Sequence, residues 1–196
     1  MIYLKSTPIG IDVAINDIQK AVANAVSWTN YNAFHRAYKN VSSGGIIPEV
    51  YKVKTQPKIG EYEEVLTNDN LYGSSFFVVA DTRNTIDNGN LVSTTVSMIF
   101  QMNLEAVTGI SDSRQDEELH VKVSNAINSS AYGKVSSIIT GINNVYTEFD
   151  TNNVQFDDIQ PFHCFRIDID VSYMNECKAE TEKQIADING NQIVYI

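Results

Sequence analysis

Residues 94–106 read TTVSMIFQMNLEA, with Val96, Met98, Phe100, Met102, Leu104 and Ala106 on even positions and Ser97, Gln101, Asn103 and Glu105 on odd ones; Ile99 is the apolar exception. A period of two held this long predicts a strand with one buried and one wet face. At roughly 3.3 Å per residue it would reach about 40 Å, well beyond a common strand of about five or six residues. Residues 162–173 repeat the texture, with Phe165, Ile167, Ile169, Val171 and Tyr173 alternating with Arg166, Asp168, Asp170 and Ser172. The two stretches are natural sheet partners with their apolar sides turned the same way.

The rest of the chain is read outward from this pair. Residues 72–81, YGSSFFVVAD, are apolar on both faces at Phe76–Val79, as suits a strand flanked and covered on both sides. The Asn- and Gly-rich residues 82–92 predict a hairpin with an extended tip carrying Asn84, Asp87, Asn88 and Asn90. Ile11, Ile15, Ile18, Val22 and Ala25 form one helical stripe, with Asp12, Asn16, Asp17 and Gln19 off it; Asp12 suits a cap and the helix dipole. The helix either runs past Trp28 into Tyr31, Phe34 and Tyr38 or breaks at Trp28-Thr-Asn30. Residues 46–54 predict a strand that Pro48 demotes to an edge or entry position, followed by a polar connection from 57 to 70. Ser113-Arg-Gln-Asp116 resembles a capping box for a helix over 113–129, with Leu119, Val123, Ala126 and Ile127 inward and Glu117, His120, Lys122 and Ser124 outward. A helical turn at 134–141 and a strand at 143–149 are expected next, and Ile193–Ile196 suits a last edge strand or a contact on a neighbouring subunit.

These elements predict an α+β domain with an antiparallel sheet of four to five strands, a long central hairpin and helices packed on one face. A length of 196 residues suits a single domain, here a core of 1–174 with a C-terminal extension 175–196. With 24 acidic against 14 basic residues the net charge is −10, which opposes specific nucleic-acid binding. No apolar run approaches a membrane span and the N-terminus has no signal-like core, so a soluble chain with no membrane partner is expected. Cys164 and Cys177, 13 positions apart in such a chain, favour a reduced compartment.

Chemistry-bearing patterns are sparse. His35, His120 and His163 have no second ligand at metal spacing, and Asp87-Asn-Gly and Asp187-Ile-Asn-Gly are turn sequences without the full calcium-loop spacing. No phosphate-binding or nucleophile motif occurs, so no cofactor, metal or catalytic residue is expected. Asp168 and Asp170 share a strand face and, with His163, are the best acid–base candidates were the chain an enzyme; a solvated strand face is the favoured reading of the pair. An adaptor binding a partner along an edge strand is the other alternative.

The segments that carry a family resemblance are the helix at 11–28, Ile47-Pro-Glu-Val-Tyr51, the hairpin through Phe76-Phe-Val-Val79 and Met98-Ile-Phe-Gln-Met102, the helix at 113–129, and Gln160-Pro-Phe-His-Cys-Phe-Arg-Ile167. In order and texture, over most of 1–174, they resemble the tail-terminator and neck-ring proteins of tailed bacteriophages. The resemblance implies a virion structural protein, assembled in the host cytoplasm. It would form a homo-oligomeric ring, commonly a hexamer, that ends the tail tube, joins it to the head connector and touches other neck and tail-tube proteins. DNA would pass through without being bound. Under that reading Glu105, Asp168 and Asp170, with Arg166, Gln101 and Asn103, face the channel or a subunit interface.

Overall fold

The computed structural model describes residues 1–26, 28–42, 45–53, 60–65, 71–86, 89–150, 162–175 and 193–195. Its spine is the pair β7 (Leu91–Asn103) and β9 (Phe162–Met174), antiparallel from Leu91↔Met174 to Asn103↔Phe162. This register sets even β7 positions opposite odd β9 positions, so Val96, Met98, Phe100 and Met102 share one face with Phe165, Ile167 and Ile169, all buried. Strand β5 (Gly73–Val79) pairs antiparallel with β7 on its other side, and β8 (Gly133–Thr140) pairs with the outer side of β9. Past Val79 the β5 arm bulges and resumes as β6 (Asn84–Ile86) against Leu91–Ser93, which gives the expected hairpin its extended arm.

Next to β5 the sheet turns parallel. Strand β2 (Tyr31–Ser42) runs parallel to β5, β1 (Ile2–Leu4) parallel to β2, and β10 (Ile193–Tyr195) parallel to β1. The described strands therefore form one ten-stranded mixed sheet, not the antiparallel sheet of four to five strands that the alternation predicts. The cause is connectivity: α1 (Ile11–Val26) crosses from β1 to β2, and a helical crossover returns the chain in the same direction. The C-terminal segment supplies the outermost strand of this side through β10.

The helix ends before Trp28, and Asn30, at φ 50, turns the chain into β2. Tyr31, Phe34 and Tyr38 therefore lie on a strand and not on an extended helix. Helices α1 and α3 (Asp116–Asn128) cover the apolar face of β7 and β9, where Ile15, Ile18, Val22, Val123 and Ile127 are buried. The polar residues off the α1 stripe are not exposed: Asn16 clamps the Lys5 backbone through its amide (3.1 and 2.9 Å), and Gln19 donates to the Ala33 carbonyl at 2.6 Å. The expected capping box at 113–116 does not form, because Gln115 holds the N-cap position without a side-chain bond, and His120 is buried.

The other face is covered as well, against the expectation of helices on one face only. Val50 of β3 (Gly45–Val53), Val65 just after β4 (Gly60–Glu64), and Val145, Tyr146 and Phe149 at α4 (Ile142–Val145) pack on Phe76, Val78, Ile99 and Cys164. Strand and helix at 133–149 are thus the reverse of the expected order. Val135, Ile138 and Ile139 take the free edge of β9, Gly141 at φ +84 ends that strand, and the next turn lays Val145, Tyr146 and Phe149 on the sheet. Strand β4 occupies part of the expected polar connection and is held by Lys52–Glu63 at 2.8 Å. Among the described residues no helix is long and apolar enough to cross a membrane.

Candidate functional site

The odd-numbered side of β7, expected to be wet, is dry over much of its length. Gln101 is fully buried, and its amide group donates to the Tyr146 hydroxyl at 2.7 Å and the Val65 carbonyl at 3.4 Å and accepts from the Ser74 hydroxyl at 3.2 Å. It reaches neither a channel nor a partner surface, which corrects its expected place there. Four residues back along the strand, Ser97 stands opposite Asp168. Asp168 accepts from Ser97 at 2.7 Å, from Ser137 at 3.2 Å, and from Arg166 at 2.6 and 3.2 Å; Arg166 also donates to the Thr147 hydroxyl at 2.9 Å. Burial pushes the Asp168 carboxyl up, but the bonds from Arg166, Ser97 and Ser137 outweigh it and hold the group below the usual range. A carboxylate saturated in this way serves packing and has no lone pair directed at a substrate.

The remaining candidates are scattered. Asp170 is exposed, opposite Thr95 and Lys134. Glu105 does not continue the strand: Asn103 caps α2 (Leu104–Thr108) by accepting from the Ala106 amide at 3.1 Å, so Glu105 sits exposed on a helical turn away from Asp168 and Asp170. The expected common acidic wall of Glu105, Asp168 and Asp170 is therefore absent. At the hairpin tip Asn84 and Asn90 are exposed, while Asp87 and Asn88 lie outside the described residues. His163 lies on the helix-covered face with Phe165, opposite in sense to Asp168, so the acid–base trio is split across the sheet. Cys164 is buried beside Tyr146, and burial raises its thiol to about 11, so it is protonated and inert near neutrality. Cys177 lies outside the described residues.

Sequence reading missed two titratable clusters. His120 Nε2 lies 3.1 Å from His163 Nε2, an arrangement that needs one ring to donate to the other's lone pair and so excludes a doubly protonated pair. Burial lowers both pKa values, with Glu117 and Asp116 opposing at His120 and His120 itself adding to the lowering at His163. Among the described residues no group of three metal-ligating side chains forms. The second cluster sits at a bulge in β2. The register with β5 slips between Ala33 and Arg36, which breaks alternation and turns both His35 and Arg36 toward the first turn of α1. There the buried Asp12 carboxylate accepts from Lys5 at 2.5 Å and from Arg36 Nη2 at 3.2 Å, both at Oδ2, while its Oδ1 lies 2.6 Å from Arg36 Nε in an ion-pair contact that is not itself a hydrogen bond. Burial pushes His35 down to about 4; Asp12 opposes this, and Arg36 and Lys5 reinforce it.

A consequence in pH follows. A histidine near 4 when folded and 6.5 when unfolded stabilises the native state fully above 6.5, and that stability is lost as pH falls toward 4. The linkage slope for one proton is about 1.4 kcal/mol per pH unit, giving about 3 kcal/mol across the window, with His120 and His163 adding in the same direction. Urea denaturation at pH 7.5, 6 and 5 should show stability falling with pH, and His35→Gln should remove about one proton's worth of that slope. An unchanged slope in the variant would mean that His35 is solvated.

Five exposed apolar side chains, Tyr38, Val41, Ile46, Tyr51 and Tyr62, lie on the ribbon β2–β3–β4. Tyr38 (59% exposed), Tyr51 (36%) and Tyr62 (49%) form a T-shaped aromatic cluster with centroids 5.0 and 5.3 Å apart, with Val41 and Ile46 exposed nearby. A cavity of about 160 Å³ lies between these tyrosines and the Lys5–Asp12–His35–Arg36 cluster. A second groove, of about 330 Å³, shares Arg36 and Tyr38 and runs past Lys39, Asp81 and Arg83 where β2 leaves β5. Comparison with known proteins finds no matching family model, no matching curated protein and no matching solved structure.

Proposed function

We propose that this chain is a virion structural protein, a ring-forming tail-terminator or neck subunit that ends the tail tube and joins it to the head connector. The observation that carries this reading is the ribbon β2–β3–β4, which sets Tyr38, Tyr51 and Tyr62 beside Arg36 on its surface. Tyrosine and arginine are the residues that subunit interfaces favour, and three uncovered aromatic rings on adjacent strands suit burial against another protein. Saturation of Asp168 and inertness of Cys164 near neutrality fit a role that rests on assembly and not on turnover. The acidic net charge suits a channel that lets DNA pass unbound. The partners would be further copies of the chain and the neck and tail-tube proteins of a virion assembled in the host cytoplasm.

Light scattering on the size-exclusion peak tests the reading: a ring of about six copies has roughly six times the 21.9 kDa of one chain. A particle of one chain at every concentration, with no ring formed on added tail tubes, sinks it. The adaptor alternative draws on β8, which among the described residues pairs with β9 alone and ends the sheet with Ile138 exposed; it requires a small species that captures an extended peptide along that edge.

A further inference from the structure

His120 and His163 are 43 positions apart in sequence, too far for any spacing rule to join them, and the fold brings their ring nitrogens together. Helix α3 delivers His120 at the start of its second turn, β9 delivers His163 from its second residue, and Phe165 backs both rings with centroids 4.6 and 5.5 Å away. The two Nε2 atoms face each other at 3.1 Å. Two imidazoles bound to one ion at roughly 2.0–2.1 Å, with about 90° to 110° between them, hold their nitrogens about 2.8–3.4 Å apart. The same separation also fits one ring donating to the other, so the tautomers decide which arrangement forms. Glu117 Oε1 lies 4.0 Å from His120 Nδ1 and favours the proton on that nitrogen, which leaves the His120 Nε2 lone pair directed at His163. His163 is half-buried, so its proton can move to the Nδ1 side, and two lone pairs then converge on one point. Burial lowers both pKa values, which keeps both rings neutral and competent as ligands near neutrality.

We infer that the facing Nε2 atoms of His120 and His163 form the imidazole half of a site for a late first-row divalent ion, Zn²⁺ in particular. Imidazole suits Zn²⁺, Cu²⁺ and Ni²⁺, whereas Mg²⁺ and Ca²⁺ prefer oxygen donors. Asp116 stands one turn before His120 on α3, at the i, i+4 spacing that sets two side chains on one helical face, and its charge acts on both rings. It supplies the third ligand once it exchanges its bond to Arg114, which is 79% exposed and can return to solvent. Glu117 holds the His120 tautomer from behind, and water completes the shell. Arg114 opposes a cation at His163, while Asp116 and Glu117 favour one. An ion held there ties the start of α3 to the start of β9 and stabilises the folded chain by mass action. The site stands on this chain alone and does not depend on the ring reading.

Calorimetric titration of the EDTA-treated full chain with ZnCl₂ at pH 7.5 tests the inference. One Zn²⁺ per chain is expected at micromolar concentration, with Tm rising as the ion is added and excess Mg²⁺ changing neither. His120→Gln and His163→Gln should each weaken binding at least tenfold and Asp116→Asn severalfold, whereas His35→Gln, in the other histidine cluster, should leave it unchanged. Circular dichroism checks that the variants fold. Should the buried His120 not tolerate replacement, Cu²⁺ bound to the wild-type chain gives a second reading, since its electron paramagnetic resonance spectrum should show two imidazole nitrogens on one ion. Absence of Zn²⁺ binding up to 1 mM, fewer than two nitrogens on copper, or unchanged affinity in folded histidine variants overturns the inference and leaves the His120–His163 contact a plain hydrogen bond. None of these readouts involves assembly, so their failure leaves the ring reading standing, and a chain that never assembles leaves the metal site standing.

Discussion

Phe100→Ala should lower the unfolding free energy by about 4 kcal/mol, the largest loss expected from any single core truncation on the central strand. Phe100 is fully buried toward the C-terminal end of β7 and lies on Phe165 of β9 with ring centroids 4.6 Å apart and planes within 2° of parallel. The edge of Trp28 meets it at 6.4 Å and 90°. Truncation removes the ring from water-free contact with both partners and leaves a void walled by sheet on one side and helices on the other. Neither can close in, because β7 is fixed by pairing on both edges. Whole domains are stable by roughly 5–15 kcal/mol, so the variant should sit near the folding threshold. Equilibrium urea unfolding measures it; a loss below about 1.5 kcal/mol would mean that the core around Trp28 collapses into the space. Phe100→Leu should cost markedly less.

Gln101→Leu should destabilise by about 3 kcal/mol even though it puts an apolar side chain into a buried site. The amide of Gln101 is the partner of the Tyr146 hydroxyl, the Ser74 hydroxyl and the Val65 carbonyl; its removal takes that partner from all three at a site away from water, leaving the Tyr146 hydroxyl only its 3.7 Å contact to Cys164 Sγ. Tyr146→Phe takes away one partner and one need together, and should cost about 1 kcal/mol. The double variant should cost less than the sum of the singles, since the leucine no longer orphans a hydroxyl that is gone. Chemical denaturation of the four proteins in this cycle measures the coupling. Additive effects would show that the Gln101–Tyr146 bond contributes nothing. A surface or channel role for Gln101 would instead leave stability unchanged and alter assembly, so the two readings separate cleanly.

Both variants bear on how far this protein is legible from its residues. The alternation in 94–106 and in 165–173 predicts that these stretches are strands and which of their sides are apolar, and β7 and β9 meet in that sense. The spacing Ile11, Ile15, Ile18, Val22 likewise predicts a helix, and α1 buries those residues. Short-range periodicity is written in side chains alone, so it can be read without knowing what lies across the sheet.

The polar partners in these patterns were read as facing water, and here the reading stops. Ser97, Gln101, Asn16, Gln19 and Asp12 are all buried, each bonded to or ion-paired with a group distant in sequence: Asp168, Tyr146, the Lys5 backbone, the Ala33 carbonyl and Arg36. A polar side chain looks the same in sequence whether water or a protein group satisfies it. One signal was available, since Val145, Tyr146 and Phe149 recur at helical spacing and need a surface to cover, but it does not say which surface.

Strand direction was equally hidden. The residues of 31–42 have no helical or alternating pattern strong enough to overrule the helix before them, and the parallel run β1–β2–β5 follows from how α1 and the β3–β4 ribbon carry the chain between strands. Residue pattern alone thus dictates β5, β7, β9, α1 and α3, the apolar sides of β7, β9 and these helices, and the acidic charge, because these depend on neighbours within a few residues; it does not dictate β2, β4 or the order of strand and helix at 133–149. Only the tertiary structure decided that the sheet is mixed and covered on both faces, that Asp168 is locked by Arg166, and that a one-residue bulge brings His35 and Arg36 to a single tyrosine-lined groove, because each depends on contacts between residues tens of positions apart.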